Sequence, residues 1–174
     1  MCKDLYVYRC SVCKQVVISP VELKNTIRCC ERDMELLAPG TVDASEEAHV
    51  PVFEQCGCYL KVKIGQTPHP MTNEHHIEWI ALVTDKSIYI KYLEKTEHPC
   101  ATFHIDPDEK VCAVYAYCNL HQLWMAKDSI ENSFCFSSSC KTKDETRDGC
   151  KTKSKMGENY IDDEKMTNSC KSKM

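Results

Sequence analysis

Four cysteines near the start of the chain are spaced as metal ligands. Cys10 and Cys13 form a Cys-x-x-Cys turn in "YRCSVCKQ", and Cys29 and Cys30 are adjacent in "IRCCERDM". Such a turn lets its two thiolates converge on one ion, and the second pair completes a tetrahedron. Zinc and iron both accept four thiolates, so the residues predict a metal site without choosing the element. Adjacent cysteines as the second pair are unusual for a zinc ribbon, which has a second Cys-x-x-Cys.

A histidine cluster lies further along, in "HPMTNEHHIEWIALV". His69, His75 and His76 are metal-ligand candidates, and the alternative is a polar loop next to a buried strand. If the strand begins at these histidines, its period of two places His75 on the face of Trp79 and His76 on the opposite face. At most one of the adjacent histidines then easily shares a site with His69.

Two further motifs supply ligands of the same kind. His49 lies in "EEAHVPV" at the predicted head of a strand, and "YCNLHQLW" offers Cys118 and His121 on a tight turn. With His69 and His75 these residues give four imidazoles and one thiolate, a set too rich in nitrogen for a structural zinc site. It suits a five-coordinate transition metal with an open sixth position, and iron is the natural choice.

The elements that must position these ligands are predicted to be strands. Between residues 46 and 127, segments rich in β-branched and aromatic residues are separated by Gly, Pro, Asn or Asp. Short strands at this spacing, without a helical period, predict an antiparallel β-sandwich. The segments are "HVPVFEQ", "CYLKVKIG", "HIEWIALVT", "SIYIKYLE", "ATFHID" and "KVCAVYAYC". We expect Trp79 and Trp124 to pack in this sandwich near the histidine-rich site.

The chain divides into three parts by composition. Residues 1–38 are rich in turns and cysteines and too few to form a core unaided, so we expect a metal-stabilised module. "LAPGTVDAS" (37–45) suits a linker, and residues 39–127 form the sandwich domain. Residues 128–174 repeat "SCKTK", "GCKTK" and "SCKSK", which predicts a low-complexity, disordered tail. A cysteine-rich metal-binding tail is the alternative.

Composition excludes several classes of function. A net charge of -4, with Lys and Arg spread along the chain, gives no sign of a nucleic-acid binder. No segment has the roughly 20 apolar residues of a membrane helix, and the N-terminus lacks a signal-peptide pattern. We therefore expect a cytoplasmic protein whose 14 cysteines serve more as metal ligands than as disulfides. Four cysteines of the strand region, Cys56, Cys58, Cys100 and Cys112, are predicted to be small buried or half-exposed hydrophobic side chains.

The motifs "CSVC…CC", "EEAHVPV", "HPMTNEHHIEWI" and "YCNLHQLW" resemble, in order and spacing, those of desulfoferrodoxin, the two-iron superoxide reductase family. The resemblance covers about residues 4–126. It implies a desulforedoxin-like module, an immunoglobulin-like β-sandwich, a homodimer and two irons per chain. The implied ligands of the first iron are Cys10, Cys13, Cys29 and Cys30. Those of the second are His49, His69, His75, Cys118 and His121.

The same resemblance implies the activity. Superoxide would take one electron and two protons to give hydrogen peroxide at ferrous iron, with Cys118 opposite the open position and Glu47 supplying a carboxylate to ferric iron after peroxide leaves. Electrons would come from a reduced donor such as rubredoxin. Backbone N–H groups after Cys118 are expected to hydrogen-bond to its sulfur.

One departure from the family pattern lies beside His49. The family has a lysine that attracts superoxide where this chain has Ala48, so we expect slower encounter with the anion. Lys61 or Lys63 could substitute in space. Two alternatives stay open: a non-catalytic iron-binding electron-transfer protein, and a zinc-stabilised interaction protein with an incidental histidine cluster.

Overall fold

The structure, a computed structural model, describes residues 2–41 and 46–127. Within these ranges the chain consists of antiparallel strands and a helical turn, which confirms the predicted mainly β fold class. No helix of this part of the chain is long and apolar enough to cross a membrane. The predicted tail and its cysteines, and residues 42–45 of the predicted linker, lie outside the described residues.

The N-terminal segment forms a small sheet and a hairpin. Its sheet has the order β2-β1-β5, and β3 pairs with β4. The strands are β1 (Tyr6–Arg9), β2 (Val16–Ser19), β3 (Arg28–Cys29), β4 (Arg32–Asp33) and β5 (Glu35–Leu36). A small cluster of Tyr8, Cys10 and Met34 is buried between these elements. So little apolar burial agrees with a segment that needs other sources of stability.

The rest of the described chain is a two-layer sandwich, as predicted. One sheet has the order β10-β7-β6 and the other β12-β11-β8-β9, and all neighbours are antiparallel. The elements are α1 (Glu46–His49), β6 (Pro51–Cys56), β7 (Tyr59–Ile64), β8 (Ile77–Thr84), β9 (Ile88–Tyr92), β10 (Cys100–His104), β11 (Val111–Cys118) and β12 (Gln122–Lys127).

The main core lies between the two sheets. In β7, Leu60, Val62 and Ile64 are buried while the intervening Lys61 and Lys63 are not, which is the alternation of a strand with one solvated face. These residues meet Ile80 and other apolar side chains of the second sheet. Full burial of such a side chain contributes about 1.5–3 kcal/mol, so this core accounts for much of the stability of the sandwich.

The central strands of the four-stranded sheet, β11 and β8, are buried on both faces. The outer face of this sheet is covered by Leu5 and Val7 of the N-terminal segment, which pack with Trp79, Tyr115 and Leu123. All eight residues of β11 are buried as a result. Burial on both faces explains why the central strand of this sheet is an unbroken apolar run in the sequence instead of an alternating one.

Polar and covalent bonds join the N-terminal segment to this sheet. The Leu5 N–H donates a hydrogen bond to the Tyr115 hydroxyl (3.3 Å), and a disulfide joins Cys2 to Cys112. The prediction that Cys112 is only a small hydrophobic side chain is therefore wrong, and it is also wrong for Cys56, which is disulfide-bonded as well. The chain start runs back along β11 and brings the two Cα atoms to 5.5 Å, within the range a disulfide needs. Sequence spacing cannot show this contact because 110 residues separate the two cysteines.

Candidate metal centres

The four predicted N-terminal ligands lie together. The sulfur atoms of Cys10, Cys13, Cys29 and Cys30 are all within 4.8 Å of one another. Cys10 directly follows β1, and its N–H and C=O bond to Gln15 (2.9 Å) and Lys14 (3.1 Å), closing a tight turn that carries Cys13.

The adjacent pair converges because of a second tight turn. Cys30 and Glu31 connect β3 to β4, and both have positive φ, 51° and 61°. Positive φ at both central residues is the pattern of a type I′ hairpin turn, which reverses the chain within two residues. Cys29 and Cys30 can therefore face the same point even though they are neighbours. This turn explains how two adjacent cysteines can both be ligands of one ion, as the two cysteines of a Cys-x-x-Cys turn are.

The thiols of this cluster titrate very differently. Hydrogen bonds, first from the Cys13 N–H and also from that of Val12, lower the pKa of Cys10 to about 6. Interactions with the neighbouring sulfurs of Cys13 and Cys10 raise the pKa of Cys29 to about 12, and Cys13 likewise raises that of Cys30. One thiolate forms easily and opposes the next, so a bound cation would relieve the repulsion among them. The cluster fits a metal that prefers thiolates, such as iron or zinc.

The second predicted ligand set also converges. The ligand atoms of His49, His69, His75, Cys118 and His121 lie within 4.8 Å of one another. His49 ends α1, and His69 and His75 lie on the loop between β7 and β8. Cys118 ends β11, and His121 belongs to the turn before β12. The site is thus built at one end of the sandwich, from segments distant in sequence.

The four imidazoles are arranged around a common point. Going round the cluster, the ring centroids of neighbouring histidines are 4.7 Å apart for His49–His69, 4.5 Å for His69–His75, 4.8 Å for His75–His121 and 4.7 Å for His121–His49. Each neighbouring pair is close to perpendicular, and the His49–His75 pair across the cluster is 6.0 Å apart. This arrangement fits four nitrogen ligands in a plane around one ion.

The hydrogen bonding of these rings tests whether a metal fits. The Nε2 atoms of His69 and His75 are buried without a hydrogen-bond partner in the part of the chain that the structure describes, while Nδ1 of His69 is bonded to the Pro70 carbonyl (2.6 Å). Nε2 of His49 and Nδ1 of His121 lie 2.8 Å apart. Buried ring nitrogens without a partner are costly, and a shared cation would satisfy them. The donor set therefore fits the transition metal predicted from the sequence.

Burial keeps these ligands in defined protonation states. It lowers the pKa of His69 to about 4 and also lowers that of His75, so both rings are neutral at pH 7 and ready to bind a metal. Burial raises the pKa of the Cys118 thiol, partly opposed by the N–H groups of His121 and Leu120. The His121 N–H lies 3.4 Å from the sulfur, as expected from the sequence. A bound cation favours the thiolate and overcomes the effect of burial.

His75 lies in the histidine-rich cluster and His76 does not, as predicted, but the strand alternation on which this prediction rested is not observed. Cys118 pairs with Ile77 and Tyr117 with Trp79, so Glu78 is an extra residue that bulges from β8. The bulge puts Ile77 in the main core and Trp79 on the outer face. The predicted alternation from His75 to Trp79 is therefore wrong, although His75 lies in the cluster and His76 does not.

The two tryptophans also have different surroundings. Trp124 stacks on His49 with ring centroids 4.8 Å apart, and its Nε1–H donates to the His121 carbonyl (3.0 Å). Trp79 stacks instead on Tyr117, 5.4 Å away, beneath the N-terminal segment. The expectation that both tryptophans lie near the site is thus correct for Trp124 and wrong for Trp79.

The segment before His49 is fixed by backbone contacts. The Glu47 carbonyl accepts hydrogen bonds from the N–H groups of Gln66 (2.7 Å) and Thr67 (3.3 Å), and the Glu47 side chain is exposed. Gly65 has φ of +79°, and a Cβ there would be 2.6 Å from the Ala48 carbonyl oxygen. Only glycine therefore allows this close approach. Lys61 and Lys63 alternate with core residues on β7, which directs them away from the sandwich interior.

The sandwich fold and the two clusters together define a class of protein. It is an antiparallel β-sandwich protein with a four-cysteine cluster and a histidine-rich cluster that contains one cysteine, and each cluster is arranged to hold a transition metal. The Desulfoferrodoxin family model matches residues 41–127. The desulfoferrodoxin of Desulfarculus baarsii is 39% identical over 132 residues, which are 74% of this chain and 100% of that protein. This chain belongs to the desulfoferrodoxin family, as its motifs predict.

Two further similarities concern proteins named for an activity. The superoxide reductase of Pyrococcus horikoshii is 36% identical over 107 residues, covering 51% of this chain and 92% of that protein. The crystal structure of the superoxide reductase from Treponema pallidum matches with a TM-score of 0.62 and 34% identity, covering 72% of this chain and 100% of that one.

Proposed function

We propose that this protein is a superoxide reductase that converts superoxide, one electron and two protons into hydrogen peroxide. The observation that carries the proposal is the convergence of four imidazoles and one thiolate, in which Nε2 of His69 and of His75 is buried with no hydrogen-bond partner among the described residues. The similarity to proteins named superoxide reductase supports it. Ferrous iron held by His49, His69, His75, Cys118 and His121 would supply the electron for this reduction.

The protonation states of the ligands favour an anionic substrate. His69 and His75 are neutral because burial lowers their pKa values, so they add no negative charge to the site. With Cys118 as the single anionic residue among the five proposed ligands, the site would keep a net positive charge when it holds a divalent ion, and this charge would attract superoxide. Cys118 would be the thiolate ligand of the iron and would supply electron density to it, and the His121 N–H, 3.4 Å from the sulfur, would limit that donation.

Trp124 shields the proposed metal site from water on one side. Trp124 is 2% exposed and covers one face of His49. It keeps the ring in one orientation and keeps water from that side of the site.

Glu47 is proposed as a carboxylate that moves toward the centre in its oxidised state. It is two residues before His49, and its exposed side chain has room to move while hydrogen bonds to Gln66 and Thr67 hold its backbone carbonyl. A carboxylate that arrives after hydrogen peroxide has left would compensate the added positive charge. It would also keep other anions from the open position until the next electron arrives.

The remaining parts of the proposal concern the first site and the partners. We assign a second iron to Cys10, Cys13, Cys29 and Cys30, in a module of residues 1–38 attached to a reductase domain of residues 39–127. Electrons come from a rubredoxin-like or other reduced donor, with the four-cysteine site as a relay. We further propose that the protein acts in the cytoplasm as a homodimer.

Rapid mixing of the anaerobically reduced protein with superoxide tests the activity. We expect fast oxidation of the histidine-rich iron and one hydrogen peroxide per superoxide, without the dioxygen that a dismutase releases. A Cys13→Ser variant should lose the four-sulfur chromophore and keep this oxidation, whereas His75→Ala should lose the oxidation. Iron that binds and changes its redox state without reacting with superoxide would identify the alternative, a non-catalytic electron-transfer protein, which Ala48 in place of the family lysine favours.

A further inference from the structure

Asn119 lies between the two segments that carry His75 and Cys118. Its Oδ1 accepts a hydrogen bond from the His76 N–H (2.9 Å), and its Nδ2 donates one to the Glu74 carbonyl (2.8 Å). Glu74 and His76 are the two neighbours of His75. A single carboxamide therefore holds the peptide groups on both sides of one proposed ligand.

The main chain of Asn119 adds a third bond to the same stretch. Its N–H donates to the His76 carbonyl (3.1 Å). Asn119 also follows Cys118 directly and lies two residues before His121, on the turn that ends with Gln122 at a φ of 57°. These three hydrogen bonds thus connect the turn that carries Cys118 and His121 to the loop that carries His75.

Few other contacts fix the backbone at His75. The His75 N–H donates to the Thr72 hydroxyl (3.1 Å), and the His75 carbonyl accepts from the Thr72 N–H (2.9 Å), so these bonds stay within the exposed loop. Thr72 orders the loop internally but does not attach it to the sheet. The loop is attached to the sandwich by the hydrogen bonds of Asn119 on one side of His75. On the other side, Met71 packs against the main core and accepts a hydrogen bond from the Ile77 N–H (3.4 Å), and His75 between them is only half-buried.

The two side-chain hydrogen bonds of residue 119 require an asparagine. The carboxamide of asparagine has one acceptor oxygen and two donor hydrogens in one plane. The oxygen accepts from the His76 N–H, and the NH₂ group donates to the Glu74 carbonyl. Aspartate keeps the acceptor and loses the donor, so its carboxylate would face the Glu74 carbonyl. Alanine loses both bonds, and only the backbone bond would remain.

We propose that Asn119 is a positioning residue that sets His75 in register with Cys118 and His121, and so determines how tightly the histidine-rich site holds its metal. Asn119 is not itself one of the proposed ligands. The inference rests on the proposed ligand set and does not depend on the reaction with superoxide. Groups that orient metal ligands typically contribute 10–100-fold to metal affinity, and their loss leaves the ligands present but misplaced.

Cobalt(II) titration of the metal-free, full-length protein tests this role. Cobalt bound by four thiolates and cobalt bound mainly by imidazoles have different visible spectra, so each site is followed separately against a competing chelator. We expect Asn119→Ala to weaken cobalt binding about tenfold or more at the histidine-rich site only. Asn119→Asp should fall between Asn119→Ala and the wild type, with a shifted thiolate-to-cobalt charge-transfer band. Asn73→Ala, an exposed amide on the same loop, is the matched control and should bind as the wild type does.

Two results would overturn the proposal. One is wild-type affinity at the histidine-rich site in both Asn119 variants. The other is equal weakening at both sites, which indicates general loss of structure and not positioning. If Asn119→Ala does not fold, the nearly isosteric Asn119→Asp decides alone. A wild-type protein with no cobalt at the histidine-rich site would refute the ligand set itself, whereas normal cobalt binding without superoxide oxidation would refute only the proposed reaction.

Discussion

The indole ring of Trp124 lies nearly parallel to the imidazole ring of His49, with 4.8 Å between the ring centroids and an interplanar angle of 25°. The same indole donates its N–H to the backbone carbonyl of His121. One buried side chain therefore contacts two proposed ligands, one through its face and one through its edge. The stacking orients a ring, while the hydrogen bond holds the turn from which the other ring projects.

These two contacts of Trp124 can be separated by substitution. Trp124→Phe keeps an aromatic face for His49 but leaves the buried His121 carbonyl without its donor, at a cost of about 1–3 kcal/mol. Trp124→Leu loses the stacking as well, and we expect a further loss from the cavity. Urea unfolding of the metal-free protein measures both. If Trp124→Phe were as stable as the wild type, the indole hydrogen bond would have no role in holding the turn.

Ala48 is the residue to change in a test of electrostatic attraction. Ala48→Lys adds a positive charge at the residue before the proposed ligand His49, so we expect the second-order rate with superoxide to rise about tenfold at low salt. The rise should fade as ionic strength increases, because the Debye length shortens to about 8 Å at physiological salt. Stopped-flow oxidation of the reduced protein measures the rate.

The matched control for this change is Ala48→Gln, which adds a long side chain without charge. It should leave the rate near that of the wild type at every salt concentration. An equal rise in both variants would show that side-chain length, not charge, acts on the encounter. A rate that does not depend on salt in Ala48→Lys would also contradict the electrostatic explanation.

The sequence predicts those features that depend on local pattern. Strands of the sandwich follow from alternation and β-branched residues, as in β7, where Lys61 and Lys63 alternate with core residues. Both predicted ligand sets lie together in the structure. The Cys-x-x-Cys turn and the Cys118–His121 turn encode proximity locally, whereas the full histidine-rich set comes from the family resemblance, because its members lie on distant segments. The continuous apolar run of β11 also indicates burial on both faces, although it does not say what covers the outer face.

Features that depend on contacts between distant segments could not be predicted. The Glu78 bulge, which overturns the alternation at His75, depends on the pairing of β8 with β11. Cys2 and Cys112 meet only because the chain start packs along the sheet. The hydrogen bonds that join Asn119 to Glu74 and His76 go to main-chain groups, so no pattern in the sequence points to these partners.

Acid should destabilise the metal-free protein through the buried histidines. The pKa of His69 is about 4 in the folded protein, below the ordinary 6.5 of an unfolded chain. Between these values the unfolded state binds a proton that the folded state does not, so stability falls as pH drops from 6.5 toward 4. The shift corresponds to about 3 kcal/mol at most. Urea unfolding across this range should show a smaller decline in His69→Gln, and equal declines would contradict the assignment.

The disulfide between Cys2 and Cys112 should contribute to stability because it joins residues 110 apart in the chain. Closing a long loop restricts the unfolded state, and such bonds typically contribute about 2–4 kcal/mol. We therefore expect Cys2→Ser to lower the free energy of unfolding by that amount in a non-reducing buffer. The difference from the wild type should vanish when a thiol reductant is present. Cys58→Ser, which changes a half-buried thiol elsewhere in the sandwich, is the control and should not show this dependence on reductant. If Cys2→Ser and the wild type differed equally with and without reductant, the loss would come from packing at the chain start and not from the covalent bond.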